Sequence, residues 1–153
     1  MHSSGLIKNN EPIVYALIDP DQIEGGGIKD FKKERLKKSE LSVCRAWDAS
    51  AEEARAYIVA KQLEKIATRT DEGYAWTPAK DIRAIRLTGL DIGAFCVVDD
   101  GLEDFKAHAV LGYSKAPEGY DGNKLANQRE AARGNLLLLF SKSRRGWEDW
   151  SFG

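Results

Sequence analysis

The chain is poor in cysteine, poor in usable histidine, and has no long apolar run. Its 153 residues include two cysteines, Cys44 and Cys96. Neither belongs to a CxxC pair, which excludes a disulfide framework and a paired-cysteine metal knuckle. Both fall in apolar, strand-like runs, Leu41–Trp47 and Ala94–Val98. They are expected to be buried free thiols, because free cysteine behaves as a small apolar residue. Of the two histidines, His2 belongs to the small polar stretch Met1–Gly5. That stretch has nothing to pack and reads as a disordered or added leader. His108 is then the histidine left for chemistry. No stretch approaches the roughly 18 apolar residues of a membrane span. The N-terminus lacks the charged-then-apolar layout of a signal peptide, so a cytoplasmic location is expected. The formal net charge of -1 predicts no global attraction to nucleic acid or to an anionic membrane. No GxSxG, P-loop or strand-linked GxGxxG occurs; Gly25-Gly26-Gly27 lacks the lysine and helix context that phosphate loops need.

What is present is an ordinary globular composition, 42% apolar and 31% charged, in a length that suits one domain. Three parts are expected: a leader over residues 1–10, a single domain over 11–141, and an aromatic and basic C-terminal tail over 142–153. Ile13–Ile18 is an apolar run closed by Asp19-Pro20, a first strand that ends where proline removes a donor. Leu41–Trp47 alternates as a strand does, with Arg45 on the face of the larger apolar residues. Ser50 and Glu53 form a capping box before an apolar stripe at helical spacing, which predicts a helix over about residues 50–69. Thr70–Gly73 reads as a turn, Tyr74–Trp76 as a short extended piece, and Pro78–Ile85 as a short helix with proline at its first position. The continuous run Ala94–Val98 reads as a central or well-covered strand. Phe105–Tyr113 is the next strand, with Phe105, Ala107, Ala109 and Leu111 sharing a face that His108 does not. A final helix is expected from Asn123, weakened at Gly134. The Val98–Ala107 connection is too short for a crossover helix, so the two strands form an antiparallel hairpin. The predicted class is α+β, a mixed or mainly antiparallel sheet with two main helices packed on one face.

Chemistry-bearing residues crowd at that hairpin. Asp99, Asp100, Glu103 and Asp104 precede His108. Carboxylates beside an imidazole suit a divalent metal or an acid–base pair; a solvated acidic turn beside a surface histidine is the plainer reading. A second candidate is the tail, where Arg144 and Arg145 meet Trp147 and Trp150. Such residues dominate protein interfaces and also stack on bases. They equally suit aromatic rings folded back on the core. Lys32, Lys33, Lys37 and Lys38 form a further basic segment.

Three short patches carry a resemblance: Leu41-Ser42-Val43 before a capped helix, Ile82-Arg83 in a short helix, and Ala107-His108-Ala109 on a late strand. In these the chain resembles a loose group of small uncharacterised bacterial proteins. The resemblance implies a bacterial intracellular origin and brings no activity with it.

These readings lead to a non-catalytic module that binds another macromolecule, with a protein partner favoured over nucleic acid and no membrane involved. Arg45, Arg144, Arg145, Trp147 and Trp150 are its binding candidates, and no cofactor is expected. The alternative is a metal-dependent hydrolase or nuclease centred on Asp99, Asp100 and His108, the one reading that requires a divalent metal.

Overall fold

A computed structural model describes residues 5–65 and 67–153, with Lys61 described through its backbone alone. Its centre is strand β1 (Pro12–Asp19), buried along nearly its whole length. Alternation sends Ile13, Tyr15 and Leu17 into one hydrophobic cluster and Val14 into another on the opposite face. A strand covered on both faces must be apolar at every position, which is why this run does not alternate in the sequence. Around it lie β4 (Leu41–Arg45), β5 (Thr70–Pro78), β6 (Phe95–Asp99), β7 (His108–Tyr113) and β8 (Arg144–Arg145). They form one six-stranded sheet in the order β6-β7-β4-β1-β5-β8, antiparallel throughout. A small ribbon of β2 (Ile23–Glu24) and β3 (Gly27–Ile28) flanks the Gly25-Gly26 turn.

The class is therefore α+β on an antiparallel sheet, as expected, with one difference of detail: the two main helical segments lie on opposite faces. Helix α5 (Gly122–Ser141) starts at Asp121, whose side chain accepts from the amides of Asn123 and Lys124. It runs unbroken past Gly134 and buries Ala132, Leu136 and Phe140 at four-residue spacing against the cluster of Ile13, Tyr15 and Val43. Phe140 packs edge-on to Phe31, and Tyr15 completes this aromatic set. Leu36 of the short helix α1 (Lys33–Lys37) seals the same cluster, and the lysines around it are exposed.

The other face takes the helical segment after Ser50. The expected capping box is present, Ser50 accepting from the Glu53 amide and Glu53 accepting from the Ser50 amide. Those bonds hold the Glu53 carboxyl below its ordinary range. The segment runs from α2 (Ala51–Ala54) through a π-helical turn at Arg55–Ala60 into α3 (Lys61–Lys65). Tyr57 stacks on Phe105 at 4.4 Å between ring centres. Ala54, Val14, Cys44 and Tyr74 pack around them.

Four expectations change. Residues Thr70–Gly73 are part of a nine-residue strand, β5, that pairs with β1 along most of its length. The run Ala94–Val98 supplies an edge strand and not a central one. In β6 the Phe95 and Val97 side chains are buried, and Cys96 and Val98 face solvent. Cys96 is thus exposed where a buried thiol was expected, and Cys44 is buried. Phe105 and Ala107 do not share the face of Ala109 and Leu111, because the strand begins at His108 and the residues before it belong to the turn.

The leader boundary moves as well. Met1–Ser4 lie outside the described residues, but Ile7 is a core residue and Glu11 is buried at 2% exposure. A short helix, α4 (Ala79–Ala84), follows β5 with Pro78 at its N-cap. It holds Arg83 beside this N-terminal segment, donating to Asn9 Oδ1 and to the Ile7 carbonyl. Among the described residues, no helix is long and apolar enough to cross a membrane.

Candidate functional site

Asp99 is the last residue of β6 and Asp100 follows it directly, and their side chains meet groups on opposite faces of the sheet. The two carboxylates therefore join different constellations.

Asp99 turns to the Ile13 face and meets Arg45, which is 3% exposed. The Arg45 guanidinium donates to both Glu11 carboxylate oxygens, from Nε at 2.5 Å and from Nη2 at 2.9 Å. Its Nη1 donates to Asp99 Oδ1 at 2.9 Å and to the Gly5 carbonyl at 2.7 Å. Nη2 also reaches the Leu6 carbonyl at 3.4 Å, and Asp48 Oδ2 lies 3.4 Å from Nε. The Glu11 hydrogen bonds lead the causes that raise the Arg45 pKa above its ordinary value, so the cation is permanent. One arginine thus ties together the N-terminal segment, the end of β4, the turn after it and the end of β6. Its donors are committed internally, which makes it a structural tie where a binding residue was expected.

Asp100 turns the other way, to His108. His108 Nδ1 lies 3.0 Å from Asp100 Oδ2 and 3.1 Å from the Asp100 carbonyl. On the far side of the ring, Nε2 lies 3.2 Å from Ser42 Oγ. The sheet explains this alignment. Cys44 pairs with His108 and Ser42 with Val110, so Ser42 and His108 are diagonal neighbours on one face. Ser42 is exposed and His108 half-buried. Val110 pairs in turn with Val98, so a strip of two valines runs beside Ser42, and Val98 is 52% exposed.

A carbonyl oxygen only accepts hydrogen bonds, and so does an ionised carboxylate. With both at Nδ1, that nitrogen carries the proton in the neutral ring. Nε2 is then the acceptor, and the Ser42 hydroxyl donates to it. The expected trio of Asp99, Asp100 and His108 does not converge; Ser42, His108 and Asp100 do. Among the described residues, no group of three or more histidine, cysteine or acidic side chains is arranged to hold a metal ion.

A groove of about 600 Å³ lies at the C-terminal end of β6. Val97, Val98, Asp99, Asp100 and Gly101 form one wall; Gly5, Leu6 and Ile7 with Arg83 form the other. Leu6 is 92% exposed at its rim. Both walls are anchored, the first through the Asp99 bond to Arg45 and the second through the Arg45 bonds to Gly5 and Leu6.

The tail is docked. β8 pairs with β5, Tyr74 opposite Arg145 and Ala75 opposite Arg144. Gly73 permits the approach: it has φ +85°, and a Cβ there would stand 2.2 Å from the Arg145 carbonyl oxygen. Trp147 and Trp150 pack on Tyr74, and Phe152 packs edge-on to Trp76. Trp147 Nε1 donates to Asp71, and Arg145 lies over the Trp76 ring and donates to Ser151. Arg144 reaches the Gly26 carbonyl. These rings cover β5 and do not stand free as an aromatic binding arm.

Neither Ser42 nor the groove was singled out from the sequence. Ser42 carried one signal, its place on the small-residue face of an alternating strand, but its proximity to His108 depends on β4 pairing with β7. The groove leaves one trace in the sequence, the continuous apolar run of β6, which equally fits a central strand.

Among the described residues, the chain is an α+β protein whose antiparallel sheet ends in the edge strands β6 and β8. No protein family, curated protein or solved structure matches the chain.

Proposed function

We propose that this protein is a protein-interaction module that takes an extended segment of its partner along the outer edge of β6. The observation that carries this reading is the edge groove, an anchored cleft beside an edge strand, rimmed by the exposed side chains of Leu6 and Val98. An edge strand offers main-chain donors and acceptors to an added strand, and side-chain pockets beside it set preference. Apolar side chains on an added strand would meet Leu6, Ile7 and Val98. β6 is five residues long, so the matching partner segment is also short. Anchored walls lower the ordering cost of binding. An affinity in the micromolar range, about -8 kcal/mol, fits so small a contact.

Selection of displayed random peptides, followed by titration of the labelled protein, tests the proposal. The amides of Phe95–Asp99 should shift and gain exchange protection on binding. Leu6→Glu with Val98→Glu should weaken binding at least tenfold at unchanged melting temperature. Selected peptides that shift β5 or the tail and leave β6 untouched would refute the reading.

A further inference from the structure

The open face of the β6–β7 hairpin carries a second arrangement, independent of the edge groove. Ser42 Oγ, His108 and Asp100 lie in one row: Oγ is 3.2 Å from Nε2, and Nδ1 is 3.1 Å from the Asp100 carbonyl it hydrogen-bonds and 3.0 Å from Asp100 Oδ2. We infer that Ser42 is a nucleophile, with His108 as its general base and Asp100 as the positioning residue, acting on carboxylic esters with a small apolar acyl group.

Three observations support this assignment. The first is the tautomer. Two acceptors at Nδ1 leave Nε2 free to take a proton, and Ser42 already donates to it; a serine needs that arrangement to attack. The second is access. The nucleophile is exposed and its base half-buried, so a substrate can reach Oγ. The third is the neighbouring surface. The Val110–Val98 strip lies beside Ser42 on the same face, offering an acyl chain a small apolar bed. The tie between strands β4 and β7 sets the Ser42–His108 spacing, so the pair is held by the sheet and not by a loop.

The chemistry balances with water as the second reactant. Ser42 Oγ bonds to the acyl carbon and passes its proton to His108 Nε2. The carbon–oxygen bond to the leaving alcohol breaks, and the alcohol departs with that proton. Water then attacks the acyl-serine and gives a proton to Nε2. The acyl–Oγ bond breaks, the carboxylic acid leaves, and Oγ recovers the proton from Nε2. Asp100 steadies the imidazolium in both halves.

The test uses the full chain and an alkyl fluorophosphonate, which forms a stable bond with an activated serine. Mass spectrometry should place the adduct on Ser42. Ser42→Ala should abolish it, and His108→Gln should slow its formation about 100-fold or more, in line with what a general base contributes. Asp100→Asn should slow it less, because the Asp100 carbonyl still accepts from Nδ1. It should also move the His108 Nδ1 proton resonance upfield, which a merely structural carboxylate elsewhere would not do. Melting curves establish that each variant is folded. An unmodified Ser42, or an adduct that forms equally fast in folded His108→Gln, overturns the assignment.

Discussion

Replacing Arg45 with methionine probes the tie that holds the N-terminal segment, β4 and β6 together. The change keeps an unbranched side chain of similar reach and removes the charge. Glu11, 2% exposed, loses both hydrogen bonds to its carboxylate. Asp99 loses its bond to Nη1, and Asp48 Oδ2, which is buried with no other hydrogen-bond partner, loses the cation beside it. Breaking a buried ion pair by removing one member costs about 3–5 kcal/mol, because the remaining charge stays in a medium that solvates it poorly. Three acids converge on this one cation, so the upper part of that range applies. For a chain of this length each kcal/mol moves the melting temperature by roughly 2–4 °C, so a loss of about 4 kcal/mol lowers it by about 8–16 °C.

The assay is urea unfolding followed by tryptophan fluorescence. The midpoint should fall with the slope unchanged, the mark of altered stability and not of an altered unfolded state. Arg45→Lys should recover little, because an ammonium cannot serve Glu11 in bidentate fashion while also reaching Asp99 and two carbonyls. Adding Glu11→Gln to Arg45→Met should recover part of the loss by removing the stranded charge. A destabilisation under about 1 kcal/mol for Arg45→Met alone would refute the view that these charges are buried and mutually compensated.

Two other expectations follow from burial. In the native protein Cys96 should react with a thiol reagent within minutes. Cys44, buried and pushed up to about 12 by desolvation, should react on unfolding; equal rates for the two would contradict their placement. Trp150→Ala removes a ring that contacts Tyr74, Trp147 and Phe152. It should cost about 2–3 kcal/mol, below the range for a fully buried tryptophan because this ring is half-exposed. A midpoint shift equivalent to less than about 0.5 kcal/mol would mean that the tail is not part of the core.

Local signals located the elements whose neighbours leave an imprint on their own residues. β1 is apolar from Pro12 to Ile18 because both of its faces are covered there. The helix after Ser50 announces its start through two residues three apart. α5 shows a helical stripe strong enough to carry Gly134. The first residues of β5, Thr70–Gly73, are polar and carry a glycine, which is a turn signature, and only pairing with β1 makes them a strand. The division of helices between two faces was hidden for a related reason: periodicity tells which stripe of a helix is apolar but not which face of the sheet receives it. The parity of Asp99 and Asp100 was legible, since adjacent residues on a strand diverge. The partners that each would meet, Arg45 across 54 positions and Ser42 across 66 from His108, depend on long-range strand order, which no local pattern encodes.

The apolar character of β6 at an edge position bears on function. A strand that is apolar on both faces is ordinarily central, and natural edge strands are blunted with charges, proline or bulges to prevent unwanted pairing. β6 is an edge strand whose solvent-facing positions are Cys96 and Val98, with no lysine among its five residues. Gly5–Ile7 lie across a groove from the end of this strand, and among the described residues none of that segment pairs with it. The aspartates at its end are each tied to a cation or an imidazole, so they do not stand as free repelling charges. Leaving an edge in this state exposes the protein to aggregation, a cost that is offset if the edge has an occupant. Introducing lysine at position 98 separates the two cases. If the edge is kept open for a partner, Val98→Lys should improve solubility at high concentration and at the same time lower affinity for the selected peptides. If the apolar position merely tolerates valine, solubility should change and peptide affinity should not.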